Sequence, residues 1–152
     1  MFQVKFDGLN EMQIDNIERQ LKVSLPEEYK SFLRTVGGGV VEKDKHNQII
    51  LTEINEKIVL DVLYGDDKRY ENGNIMFWMS KFDGELLEDA IIIGDDILHG
   101  FIVMICDGEN QGVYYWDDSY HFEYSDDENN MYWIADTFGD FMNLIGFAPA
   151  GR

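Results

Sequence analysis

The sequence predicts an α+β fold, and three observations carry the prediction. Apolar residues recur at helical spacing from Ile14 to Val36, alternate with polar residues or form short apolar runs from Ile49 to Trp116, and return to helical spacing from Phe138 to Ile145. A pair of N-terminal helices, a central antiparallel or mixed sheet and a C-terminal helix packed on it follow from that order. A chain of 152 residues, 45% hydrophobic and 14% aromatic, suits one domain over residues 1–152 with a core of its own.

Residues 1–9 are short and mixed. Asn10 with Gln13 three positions on matches a helix N-cap pair, and Ile14, Ile17 and Leu21 then form an apolar stripe, which predicts a first helix over about 11–21. In the next segment Leu25, Tyr29, Phe32, Leu33 and Val36 repeat the period, with Ser24 and Glu27 as reciprocal caps and Pro26 in the first turn. The run Gly37-Gly38-Gly39 stops that helix, because glycine accepts a left-handed backbone at little steric cost, and Val40 and Val41 begin an extended segment.

Ile49 and Leu51, then Ile58, Leu60 and Val62, alternate around Asn55-Glu56 and predict two antiparallel strands. Residues 65–74 are polar and glycine-bearing, a surface loop between sheet and helix. The apolar stretch 75–82 fits a buried strand or a helix, and periodicity does not separate them. Ala90 to Ile93, stopped by Gly94, and Gly100 to Cys106 read as strands buried on both faces. A polar turn over 107–112 leads to Val113–Trp116 as a hairpin partner. After a polar patch at 125–130, Thr137 and Asp140 cap a last helix carrying Phe138, Phe141, Met142 and Ile145, and Gly146 ends it.

Charge is divided unevenly along the chain. The formal net charge is −18; residues 82–151 hold sixteen acids and no lysine or arginine, whereas residues 1–81 hold fourteen acids against eleven bases. Such a field repels nucleic acid phosphate and attracts a cationic partner. No stretch reaches the roughly 20 apolar residues of a membrane helix, and the N-terminus lacks the apolar core of a signal peptide. Cys106 is the single cysteine, which excludes an internal disulfide and suits a cytoplasmic protein.

The residues that could carry chemistry do not assemble into a catalytic set. His46, His99 and His121 lack partners at metal-ligand spacing, and Cys106 sits in an apolar run within the acidic half, where its thiol pKa should rise. Asp107, Glu109, Gln111, Gly112 and Asp118 match positions of a calcium loop, but the flanks read as strands where that loop requires helices. Asp95 and Asp96 could pair as acid and base, yet neighbours at a strand end point to opposite sides, which favours a turn or cap role. No cofactor or metal is expected. The tract from Tyr114 to Tyr120 instead interleaves aromatics and acids, as protein-binding surfaces do, with one of Tyr115 and Trp116 facing outward by alternation. The candidate partner-binding residues are therefore Asp95, Asp96, Asp107, Glu109, Tyr115, Trp116, Asp117 and Asp118.

One resemblance covers nearly the whole chain. The amphipathic helix, then Val23-x-Leu25-Pro26-Glu27-Glu28-Tyr29-Lys30-x-Phe32-Leu33, then the glycine run, resembles the opening signature of the SUKH superfamily. The stretches Ile91 to Asp96, Phe101 to Met104 and Ala135 to Phe141 fit the same pattern in order. Gly37 stands where many members have asparagine, a change that leaves the cap chemistry intact. The resemblance implies an α+β domain that is not an enzyme: an immunity protein binding one to one to a cognate basic toxin, many of which are nucleases, with no direct contact to nucleic acid or membrane. A regulatory scaffold, or a hydrolase using a carboxylate pair, are the alternatives.

Overall fold

The structure, a computed structural model, describes residues 1–44 and 47–147. The elements in chain order are β1 (Phe2–Lys5), α1 (Glu11–Leu21), α2 (Glu27–Thr35), β2 (Gly39–Val41), β3 (Gln48–Leu51), β4 (Glu56–Leu63), a 3-10 turn (Glu71–Gly73), α3 (Ile75–Lys81), β5 (Ala90–Asp96), β6 (Phe101–Ile105), β7 (Gly112–Trp116), β8 (Met131–Ala135) and α4 (Phe138–Leu144). This is the α+β arrangement expected: helices on an eight-stranded sheet in which every named strand pair is antiparallel.

The sheet runs β1-β2-β4-β5-β6-β7-β8, and β3 pairs with β4 as well. The first half of β4 meets β3, from Leu51↔Glu56 to Gln48↔Val59, and its second half meets β2 through Leu63 and Val62. Register shifts interrupt four of the ladders. Such bulges bend a strand and deepen its twist. The sheet curls far enough that β3 meets β8, and the Trp133 amide, on the strand edge, donates to the Glu53 carboxylate at 2.6 Å. That carboxylate occupies an edge donor that would otherwise be open to another strand.

Local chemistry explains most helix boundaries. Asn10 and Gln13 exchange side-chain bonds with each other's backbone amides at 2.9 and 2.8 Å, a complete capping box, and Thr137 accepts from the Asp140 amide at 3.0 Å. After α2, Gly37 takes φ 74°, and its amide reaches back to the Phe32 carbonyl. The expected Ser24–Glu27 cap does not form. Pro26 itself stands at the N-cap, where its ring has no acceptor to offer, and Leu25, driven to extended backbone by the proline after it, cannot start the helix behind Ser24. The Leu25 amide is taken instead by Glu18 of α1 at 2.8 Å, and Glu18 also pairs with Lys30. The corner between α1 and α2 is thus held by a partner seven residues upstream.

The stretch left open is decided, and three other expectations are revised. The stretch 75–82 is helical through Lys81, started by Asn74, whose side chain accepts from the Phe77 amide. Gly94 does not stop its strand: β5 continues to Asp96, and Gly94 sits in a bulge where an added Cβ would lie 2.5 Å from the Val62 carbonyl oxygen. Two strands, β1 and β8, arise where none was expected, and each forms an end of the ordered sheet. The loop 65–74 is not wholly on the surface. Asp67 is buried beneath Arg69 and accepts the Asp7 amide, and Arg69 holds its carboxyl well below the usual carboxylate range.

β6 is buried along its whole length, so both faces of the central sheet are covered. On one face the in-register pair Phe101 and Trp116 meets Trp78 and Phe82, with ring centroids 5.1–5.8 Å apart. On the other, Tyr115 pairs with Ile102 and Tyr132 and packs on Phe122. Both Tyr115 and Trp116 are therefore interior, and the expectation that one of them faces solvent fails because the end of β7 that carries them is covered on both faces. Phe32, Phe138 and Tyr29 join α2 to α4, with centroids 4.9–6.3 Å apart.

Candidate protein-binding surface

Asp117 is the pivot of the acidic half. Fully buried after β7, it accepts the amides of His121 and Phe122, each at 2.9 Å, and the Ser125 hydroxyl at 2.5 Å. Ser125 also bonds the Tyr132 hydroxyl, which ties the loop to β8. A buried carboxylate survives where enough donors replace its water, and here backbone amides do so. The loop 117–130 is in this way folded back over the face that carries Tyr115 and Tyr132.

Asp95 and Asp96 are held separately. Asp95 accepts from the Tyr64 hydroxyl at 2.6 Å and the Val62 amide at 3.2 Å, while burial pushes its carboxyl up to about 7 against the pull of those bonds. Asp96, buried, accepts from the Gly100 amide at 2.9 Å and the Tyr115 hydroxyl at 3.0 Å, and burial raises its pKa too. Asp96 closes the turn between β5 and β6, the role expected for this pair. The two carboxylates face different tyrosines and do not converge on one substrate position. Cys106 is buried and its thiol is pushed up to about 12 by burial, so it lacks the exposed thiolate of a nucleophile.

Of the eight candidate binding residues, Asp96, Tyr115, Trp116 and Asp117 are buried and serve the fold. Asp95 is half-buried. Asp107 and Glu109 project from the β6–β7 turn, where Asp107 accepts the Gly108 amide in a hairpin and not in a calcium loop. Asp118 is half-buried, and burial first, then the charges of Asp117 and Glu85, raise its pKa. Among the described residues no cluster of histidine, cysteine, aspartate and glutamate has the geometry to hold a metal; His46 lies outside them.

The loop that Asp117 pins turns other side chains outward. Tyr120 is 46% exposed and Tyr124 54% exposed, among the exposed acids Glu123, Asp126, Asp127 and Glu128. Tyr120, at φ 55°, donates its hydroxyl to Asp127, and Asp126 accepts the amides of Glu128 and Asn129, bonds that hold its carboxyl below the ordinary range. In the loop before β5, Glu85 lies close enough to Asp118 to act on its charge, and Leu87 is 60% exposed. Exposed aromatics among acids are the features expected of a protein-binding face, and this group lies next along the chain to the buried residues that spacing had suggested.

The profile of the SMI1 / KNR4 family (SUKH-1) matches residues 8–144. The chain belongs to this family. SUKH members are commonly immunity proteins, and the match runs from the turn before α1 to the end of α4, so it takes in both the helix pair and the acidic loop. A search of curated proteins gives no match. No helix among the described residues is long and apolar enough to cross a membrane.

Proposed function

We propose that this SUKH protein is an immunity protein that binds one to one to a basic toxin domain, a nuclease, in the cytoplasm and blocks it by occupying its phosphate-binding surface. The observation that carries the reading is the loop 117–130, where Tyr120 and Tyr124 stand among acids on a half-chain, residues 82–151, without a single lysine or arginine. A nuclease must be cationic where it holds phosphate, and a fixed array of carboxylates presents the same charge there. Asp107, Glu109 and Asp118 extend the field, while Asp95, Asp96, Tyr115, Trp116 and Asp117 shape the support beneath it. Binding requires no catalysis by the immunity protein and no metal from it.

The test is co-expression with the toxin encoded beside it. Growth should be rescued, and the purified protein should inhibit nuclease activity at one-to-one stoichiometry. Tyr124→Ala combined with Glu123→Gln and Glu128→Gln touches exposed side chains only and should weaken inhibition at least about tenfold, as loss of an anchor and rim charges implies. A chain that neither protects cells nor binds the toxin domain would refute the reading.

A further inference from the structure

A second surface lies between α2 and α4. A groove of about 350 Å³ opens there, with Phe32, Phe138 and Phe147 at its base and Glu28 and Asp140 on its rim. Neither carboxylate has an ion pair or a side-chain hydrogen bond among the described residues, and no lysine or arginine among them lines the groove. The cations of α2 are engaged elsewhere: Lys30 pairs with Glu18, and Arg34 with Glu11 and Glu27. Glu28 reaches across to α4, where a Cβ added at Gly139 would lie 2.4 Å from its Oε2. Glycine at 139 thus leaves the space in which Glu28 and Asp140 flank one opening.

We propose that this groove receives a cationic side chain, arginine or lysine, flanked by apolar residues on a segment of a protein partner. The half-buried Phe147 ring, seated on the buried Phe32, offers its open side to an alkyl stem or a guanidinium, and two carboxylates at the rim, without ion pairs among the described residues, supply the opposite charge. The volume is at the lower end of ligand clefts, enough for one side chain and its neighbours. The inference goes beyond toxin blocking by the loop 117–130: it is built from other elements and holds whatever the toxin's chemistry.

The probe is acetyl-Leu-Arg-Leu-amide, titrated into the 152-residue chain labelled with nitrogen-15, beside acetyl-Leu-Gln-Leu-amide. Amide shifts should concentrate at Ser31, Gly139, Asp140 and Asn143, and the arginine peptide should bind about fivefold tighter, a modest gain because the rim charges are solvated. Glu28→Gln with Asp140→Asn should erase that preference while the spectrum of the sheet stays unchanged. Equal binding of the two peptides would overturn the cationic assignment, as would shifts confined to residues 117–130 or no shifts at all. Concentration-dependent self-association that the double variant abolishes would place a second copy in the groove and overturn it equally. The variants leave the acidic loop intact, so failure here leaves the toxin reading standing.

Discussion

At the scale of the residue, named donors hold the buried carboxylates of Asp67 and Asp117, one oxygen of Asp96 is buried with no partner among the described residues, and the partly buried Asp95 makes stability depend on pH. Asp95 is pushed up to about 7 by burial, so between about pH 4 and 7 the folded state retains a proton that the unfolded chain has released. Stability must then fall as pH rises through that window. Burial acts on Asp96 in the same direction, and the charges of Asp61 and Asp96 add to the effect on Asp95. Asp95→Asn keeps one acceptor oxygen, for the Val62 amide, turns the other position into an NH2 that the Tyr64 hydroxyl can accept from, and has no charge to bury. Urea unfolding at pH 5 and pH 8 should show a smaller loss for the variant than for the parent, by up to roughly 3 kcal/mol; an unchanged difference would contradict the assignment. Phe32 tests the core by the same method. It packs against Tyr29, Phe138 and Phe147, and Phe32→Ala should cost about 3–5 kcal/mol through the cavity it leaves.

At the scale of the element, the loop 117–130 depends on one carboxylate. Removing Asp117 leaves the buried amide of Phe122 and the part-buried amide of His121 without an acceptor, a loss of roughly 2–4 kcal/mol. Asp117→Ala should speed hydrogen exchange across 118–130 while β5 and β6 keep their protection; a uniform rise across the sheet would show that the loop is not a separate unit. Helix starts and stops were legible wherever the signal is local: Asn10 with Gln13, Thr137 with Asp140, and Gly37 all act within a few residues of themselves. The start of α2 was not, because the Leu25 amide finds its partner in Glu18, on another helix. Helix α3 was ambiguous because it is apolar nearly all round, and the sequence period carries no signal when Trp78 and Met79 both find contacts, Trp78 with Phe101 and Met79 with the Ile92 amide in the β5 bulge. β1 and β8 were missed because strands this short take their identity from the neighbour that pairs with them.

At the scale of the whole molecule, the asymmetry of charge along the sequence was legible, and its placement in space was not. Alternation assigns sides only when one face of a sheet is bare, and at Phe101, Tyr115 and Trp116 residues of α3 and Phe82 pack on one face and Phe122 of the loop 117–130 on the other. Asp96, Tyr115, Trp116 and Asp117 are for that reason interior, while the exposed tyrosines, Tyr120 and Tyr124, lie just beyond the tract that spacing singled out. The interleaving of aromatics and acids marked a tract that is mostly interior; the burial of Asp117, which turns the next residues outward, depends on amides and a hydroxyl four to eight residues further on.

The central claim, that the outward acids of this loop and of the β6–β7 turn steer a basic toxin domain, is tested most directly by association kinetics. Stopped-flow rates with the cognate toxin domain should fall steeply from low salt to 0.5 M, because exposed charges are screened beyond about 10 Å at 0.1 M. Glu109→Gln, Glu123→Gln and Glu128→Gln together should lower the low-salt rate severalfold, flatten the salt dependence and change the dissociation rate little. A rate that ignores both salt and these three substitutions would contradict the claim and leave the acidity to solubility alone.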